Sequence, residues 1–150
     1  MSPTDPDELA RRCVAAMWDG DAASRALGMR LLDVGPGRAR VAMTVRDDMV
    51  NGWGMAHGGL VATLADSAFA AACNTHGTIT VAAGFDVVLL ESARAGDELV
   101  ADAREVALRG RSGVYDVTVS RDGAVVAEFR GRSRSLGRPN PAVDGSVSGA

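Results

Sequence analysis

The chain has 150 residues, 47% of them hydrophobic but only 4% aromatic, and a formal net charge of -3. That length fits one domain with a real core and falls short of the usual two-domain range. The acidic balance leaves no broad basic excess to displace counterions from phosphate, which argues against a nucleic-acid partner. The start, Met1 to Glu8, is acidic and lacks an apolar signal core, and no run approaches transmembrane length. A cytoplasmic protein with no membrane contact is therefore expected. Cys13 and Cys73 have neither a metal nor a redox spacing, and read as small buried hydrophobes. With alanine, valine and glycine carrying much of the apolar load, the chain would gain from burying further surface between subunits.

In chain order, Asp5 as N-cap, Pro6 at the first helical position and Glu8 three residues after the cap predict a helix over about residues 6–19, ending near Gly20. Leu9, Cys13, Val14, Met17 and Trp18 recur in it at helical spacing. A short helix from Ala22 to Leu27 follows the cap Asp21 and stops at Gly28; both helices are expected to cover core or substrate. Met29 to Val34 and Arg38 to Arg46 read as strands around Gly35-Pro36-Gly37, with Ala39, Val41, Met43 and Val45 alternating against polar neighbours. A long apolar helix comes next, over about residues 59–75, with His76 as a cap near its end. Four extended segments complete the domain: Thr78 to Glu91, Glu98 to Arg109, Gly113 to Ser120 and Ala124 to Leu136. The turn Arg121-Asp122-Gly123 is a strong hairpin signal. One long helix between an early hairpin and a meander of strands predicts an α+β fold, an antiparallel sheet curled round a central helix: the hotdog architecture. Residues 1–136 form this domain, and from Gly137 to Ala150 a small, polar stretch reads as a flexible tail.

The most informative segment is Asn51-Gly52-Trp53-Gly54-Met55-Ala56-His57-Gly58-Gly59, which runs straight into the long helix. Gly58 and Gly59 let another molecule approach free backbone N–H groups, and the helix dipole favours an oxygen acquiring negative charge there. Asp66 is the only charged residue between His57 and Asp86, so it belongs to no polar face. Desolvation would raise its pKa, as a base or nucleophile near neutral pH requires. Taken singly, glycines before a helix are ordinary turn chemistry and a lone aspartate is ordinary surface. Eight residues of helix place Gly58 and Asp66 roughly 12 Å apart along the axis. Both must approach one reacting carbonyl to share a site, so a second chain has to supply one of them, which implies a two-fold dimer. Cys73 lies on nearly the same helix face as Asp66 and could line the site.

Asn51, His57-Gly58-Gly59, Leu64-Ala65-Asp66, Ala95-Gly96-Asp97, Gly113-Val114-Tyr115-Asp116 and Phe129-Arg130-Gly131-Arg132-Ser133, in this order and spacing, resemble the phenylacetate-degradation hotdog thioesterases. Met17-Trp18-Asp19-Gly20-Asp21 and Ala26-Leu27-Gly28-Met29 are similar too, so the likeness runs from about Leu9 to Gly137. The resemblance implies hydrolysis of acyl-coenzyme A (acyl-CoA) thioesters, with aryl-acetyl groups (phenylacetyl or hydroxyphenylacetyl) or medium-length apolar acyl groups, by a homodimer or dimer of dimers. It gives Asp66 the part of the catalytic carboxylate, attacking directly or activating water, and Gly58 that of the oxyanion N–H. Asn51 and His57 would organise the site of the opposing chain. No metal and no cofactor are implied. Two departures stand out: Leu60 replaces a polar residue after His-Gly-Gly, and Glu91 occupies the place of an arginine, where it would repel coenzyme phosphate.

Arg130, Arg132 and Arg134 alternate along one strand and fit either coenzyme phosphates or a solvated face. Met49, Val50, Trp53 and Met55 fit either an acyl pocket or packing between subunits. Beside the thioesterase reading stand a hotdog enoyl-CoA hydratase or dehydratase, for which no separate acid–base motif is present, and a non-catalytic acyl-CoA binding module.

Overall fold

The computed structural model describes residues 5–143. Part of the acidic start and residues 144–150 of the expected tail thus lie outside the described residues. Helix α1 spans Pro6–Asp19, its N-terminus closed by Asp5, whose carboxylate accepts from the Asp7 N–H at 3.4 Å. It buries Ala10, Cys13 and Val14 and exposes its charged face. Helix α2, Ala22–Ala26, begins at Asp21, which accepts from the Ser24 N–H at 3.0 Å. Gly28 then takes φ +70°, a left-handed conformation that costs glycine little and turns the chain into the sheet.

Strands β1 (Arg30–Gly35) and β2 (Arg38–Thr44) form the first hairpin, a 3-10 turn covers Asp47–Met49, and helix α3 spans Gly58–Cys73. Strands β3 (Thr78–Leu89), β4 (Glu98–Arg109), β5 (Ser112–Arg121) and β6 (Ala124–Pro139) follow. They join one antiparallel sheet in the order β1-β2-β4-β5-β6-β3. The β5–β6 hairpin turns at Asp122 (φ 48°) and Gly123 (φ 80°), both left-handed as the tightest hairpin turns demand.

The sheet wraps α3, which buries Val61, Leu64, Ala65, Ala68, Phe69 and Ala72 against it. Removing Leu64 or Phe69 from water contributes about 1.5–3 kcal/mol each. Alanines keep this face thin and let the strands come close. One such approach is at Gly131 on β6, where a Cβ would stand 2.8 Å from three atoms of the Phe69 ring. Phe69 also meets Tyr115 and Phe129, with ring centroids 5.6 and 5.8 Å apart.

Three features differ from the sequence reading. The strand after the helix does not open the meander: β3 pairs with β6, and β2 receives β4 instead. Residues 90–97 cross the end of the sheet to make this possible, leaving one edge of β3 without a partner strand among the described residues. The polar stretch from Gly137 is not loose over its described part, since β6 continues to Pro139, opposite Thr78. Beyond it, Asn140 donates from its backbone N–H to Gly77 O and from its side chain to Cys13 O, and Arg12 donates to Ala142 O. Small polar composition hid this strap because its bonds go to backbone carbonyls of distant elements. Finally, His76 is not a helix cap; its Nε2 lies 2.7 Å from Glu105 Oε1 on β4. Among the described residues no helix is long and apolar enough to cross a membrane.

Candidate active site

The loop before α3 is held by Asn51. Its side-chain oxygen accepts from the Trp53 and Met55 N–H groups at 2.9 and 3.1 Å, and its own N–H donates to Met55 O at 2.7 Å. This folds residues 51–55 into a compact turn completed by Gly54 at φ 73°. The loop is then tied down by the Ala56 N–H donating to Ala93 O and the His57 N–H donating to Met49 O. His57 is the N-cap residue of α3, and its carbonyl accepts from both Leu60 and Val61, while its exposed ring makes no capping bond. Its backbone, not its imidazole, starts the helix.

That start leaves the N–H groups of Gly58 and Gly59 without an acceptor among the described residues. Both point out of the positive end of a sixteen-residue helix. A Cβ on Gly58 would come 2.5 Å from Leu89 Cδ1, so glycine is what lets Leu89 close over this position. Asn51, Met55, Ala56, Gly58, Val61 and residues 89–93 line a cavity of about 280 Å³. The sequence reading missed Leu89 and Ala93, because only the folded sheet brings the end of β3 against the helix start.

Asp66 lies two turns further along α3, half-buried, and accepts no hydrogen bond from any described residue. Burial pushes its carboxyl above the usual carboxylate range, and the negative charge of Asp21 adds to the shift. Asp66 does not line the cavity at Gly58. An open pair of N–H donors and a desolvated carboxylate therefore stand on different parts of the same helix, apart from one another within the chain.

The remaining candidates divide. Met55 lines the cavity, whereas Trp53 stands 83% exposed at the loop tip. Met49 is buried in the core and Val50 packs against it. Arg130 and Arg132 are not brought to this loop. They sit on the sheet face away from α3, Arg130 in a two-pronged pair with Asp116 (2.6 and 2.9 Å) and Arg132 with Asp86 (3.1 Å). Glu91 lines the cavity, but its charge is met within the chain by Arg121 at 3.7 Å, which also holds Asp97 and Ser92 O. The repulsion expected of a lone glutamate is thereby reduced. Cys73 is buried, its thiol pushed up to about 12 chiefly by desolvation, so it remains protonated and inert at neutral pH.

This geometry has close counterparts. Acyl-coenzyme A thioesterase PaaI of Escherichia coli is 41% identical over 123 residues, covering 81% of this chain and 88% of that protein. The structure of the E. coli PaaI protein from the phenylacetic acid degradation operon superposes with a TM-score of 0.88, covering 90% of this chain and 99% of that one. A Streptococcus mutans protein, solved bound to acetyl CoA, is 28% identical with a TM-score of 0.71, covering 74% of this chain and 90% of its own. Residues 54–128, from the loop at Gly54 through α3 to the start of β6, match the thioesterase superfamily. On this similarity of sequence and fold, the chain belongs to the thioesterase superfamily, among the hotdog proteins of the phenylacetate-degradation type.

Proposed function

We infer that the protein hydrolyses acyl-CoA thioesters to the free acid and coenzyme A, at sites shared between two copies of the chain. The observation that carries this reading is the separation on α3 of the unpartnered Gly58 N–H from the desolvated Asp66. In a two-fold pair with antiparallel α3 helices, the thioester carbonyl oxygen of one site accepts from Gly58 of one protomer. The partner's Asp66 then faces the carbonyl carbon. The carboxylate either attacks that carbon or takes the proton of a water that does. Negative charge gathers on the carbonyl oxygen, where the helix start stabilises it, and collapse breaks the carbon–sulfur bond. The coenzyme leaves as a thiolate, a leaving group good enough to need no strong acid. Where the carboxylate itself attacked, water then opens the acyl–Asp66 anhydride to the free acid and restores the carboxylate. Asn51 holds the loop in shape, and His57, exposed beside the two glycines, faces the bound thioester.

The free edge of β3 supports the pairing. Val81, Phe85, Val88 and Leu89 are exposed along or beside it, an apolar strand edge of the kind that proteins cover. Dimers of this kind could pair again into a tetramer. The apolar lining from Met55, Val61, Leu89 and Leu90 suits an aryl-acetyl or medium-length apolar acyl group.

Thiol release from a panel of acyl-CoA esters tests the reading. Phenylacetyl-CoA is expected to exceed acetyl-CoA in kcat/KM, since each buried methylene is worth about 0.8 kcal/mol. Asp66→Asn is expected to lower turnover at least ~100-fold while leaving the fold intact, because an amide neither attacks nor accepts water's proton. Near-normal release by that variant removes Asp66 from the mechanism. Tight binding of acyl-CoA without release from any ester by the unmodified protein would make it a binding module.

A further inference from the structure

One hydrogen-bonded chain that the proposed reaction does not use ends at Ser67, the residue after Asp66. Asp21 accepts from the Ser24 hydroxyl at 2.7 Å, and the Ser24 and Ser67 hydroxyl oxygens lie 2.7 Å apart. Ser24 has a single proton and gives it to the carboxylate, so Ser67 must be the donor in the second bond. The chain therefore runs in one direction, from Ser67 on α3 through Ser24 on α2 to Asp21. Both serines are buried, Ser24 2% and Ser67 8% exposed, and Ser67 sits in a face of α3 whose other buried side chains are apolar or a thiol. Buried hydroxyls in such a place need a reason. Their effect is to fasten the N-cap of α2 two hydrogen bonds away from the residue that follows Asp66.

We propose that Asp21 is a positioning residue for Asp66: the Ser24–Ser67 clamp holds a second negative charge beside the catalytic carboxylate and makes it a stronger base. The proposal rests on the thioesterase reading only for its kinetic consequence. A carboxylate close to another disfavours the ionised form of its neighbour, and low-dielectric surroundings enlarge the effect. The shift of Asp66 is in that direction, with burial first and Asp21 second among its causes.

The other groups around Asp66 leave this role to Asp21. On α3 itself Cys73 is a neutral thiol. The α1 face towards the core presents Ala10, Val14 and the thiol of Cys13, which burial also keeps protonated. From the strands packed on α3 come Val41, Met43, Ala101, Ala103 and Val117, with Tyr115, a phenol that burial and Glu105 hold neutral. In the proposed dimer, His57 of the partner subunit is the further titratable group to be separated from this effect.

Carboxyl-carbon NMR titration of Asp66, recorded in a His57→Gln background, reads the proposal without reference to any substrate. Asp21→Asn keeps a good N-cap and removes the charge, and the Asp66 midpoint is expected to move to lower pH. Asp21→Glu retains the charge and is expected to stay near the parent midpoint. Ser24→Ala loosens the clamp and is expected to shift the midpoint the same way as Asp21→Asn, but less. It serves as the test should Asp21→Asn fail to fold. With His57 intact, the acid limb of the kcat/KM profile is expected to follow the midpoint, with KM little changed. An Asp66 midpoint that stays in place in both Asp21→Asn and Ser24→Ala overturns the proposal. A midpoint that moves in a protein with no thioesterase activity leaves it standing and rejects the reaction instead.

Discussion

Asp66 shows how a single side chain can be costly to the fold and still be the carboxylate that the proposed reaction uses. Its carboxyl is pushed up by burial and by Asp21, so the folded chain holds the proton more tightly than the unfolded chain does. For a group raised in this way, the relative stabilisation is fully present below the unfolded pKa and is lost as pH rises through the folded one. Once ionised, the carboxylate therefore works against folding, and Asp66→Asn, which removes that charge, is expected to raise Tm at neutral pH while it lowers turnover. The gain is expected to shrink as pH falls and to vanish below the unfolded aspartate pKa of about 3.9, where the carboxyl is protonated in both states. Thermal melts of both proteins across that range check the sign, and a loss of Tm in the variant at neutral pH would contradict it.

Between elements, the close seat of α3 on the sheet depends on what is missing from β6. Gly131 has no side chain, and the Phe69 ring fills that space between Tyr115 and Phe129. Gly131→Ala would drive a methyl group into the ring, at 2.8 Å, with backbone on one side and a packed aromatic cluster on the other. Overpacking of this kind costs about 1–3 kcal/mol. A lower denaturant midpoint with unchanged slope is expected, and because α3 carries both Gly58 and Asp66, turnover is expected to fall as well. The contrast is Gly52, with nothing within 4 Å of an added Cβ, where alanine is expected to leave stability near that of the parent.

At the scale of the assembly, the proposed shared site makes two inactive proteins complement each other. Asp66→Ala removes the carboxylate; Gly58→Pro removes the N–H at a first helical position, where proline is tolerated and meets only the end of the Leu89 side chain. In a mixed dimer one site collects both lesions and the other is intact. Random reassortment gives roughly half mixed dimers, each with one working site of two, so about a quarter of wild-type activity is expected to return. Size-exclusion chromatography first establishes that both variants dimerise and exchange. Exchange without any return of activity would show that Gly58 and Asp66 do not meet across an interface.

Much of the molecule was legible in the order of its residues, because the signals concerned are local. Caps at Asp5 and Asp21, the alternation from Ala39 to Val45, the Asp122-Gly123 turn and the lone charge at Asp66 depend on neighbours a few positions away, and local sequence is enough to set them. The loop at Asn51 and the open N–H groups at Gly58 followed from the same local reading, and the spacing of the motifs carried the family. What the sequence could not contain was which distant groups meet. Pairing of β3 with β6, the Asn140 strap on Cys13 and Gly77, the pairing of Arg130 with Asp116 and Arg121 with Glu91, and the clamp from Asp21 to Ser67 all join residues far apart in the chain. A strand carries the same period on either side of a sheet, and an arginine reads the same whether an aspartate or a phosphate will face it. Those choices are made when the sheet closes around α3, and only the tertiary structure decided them.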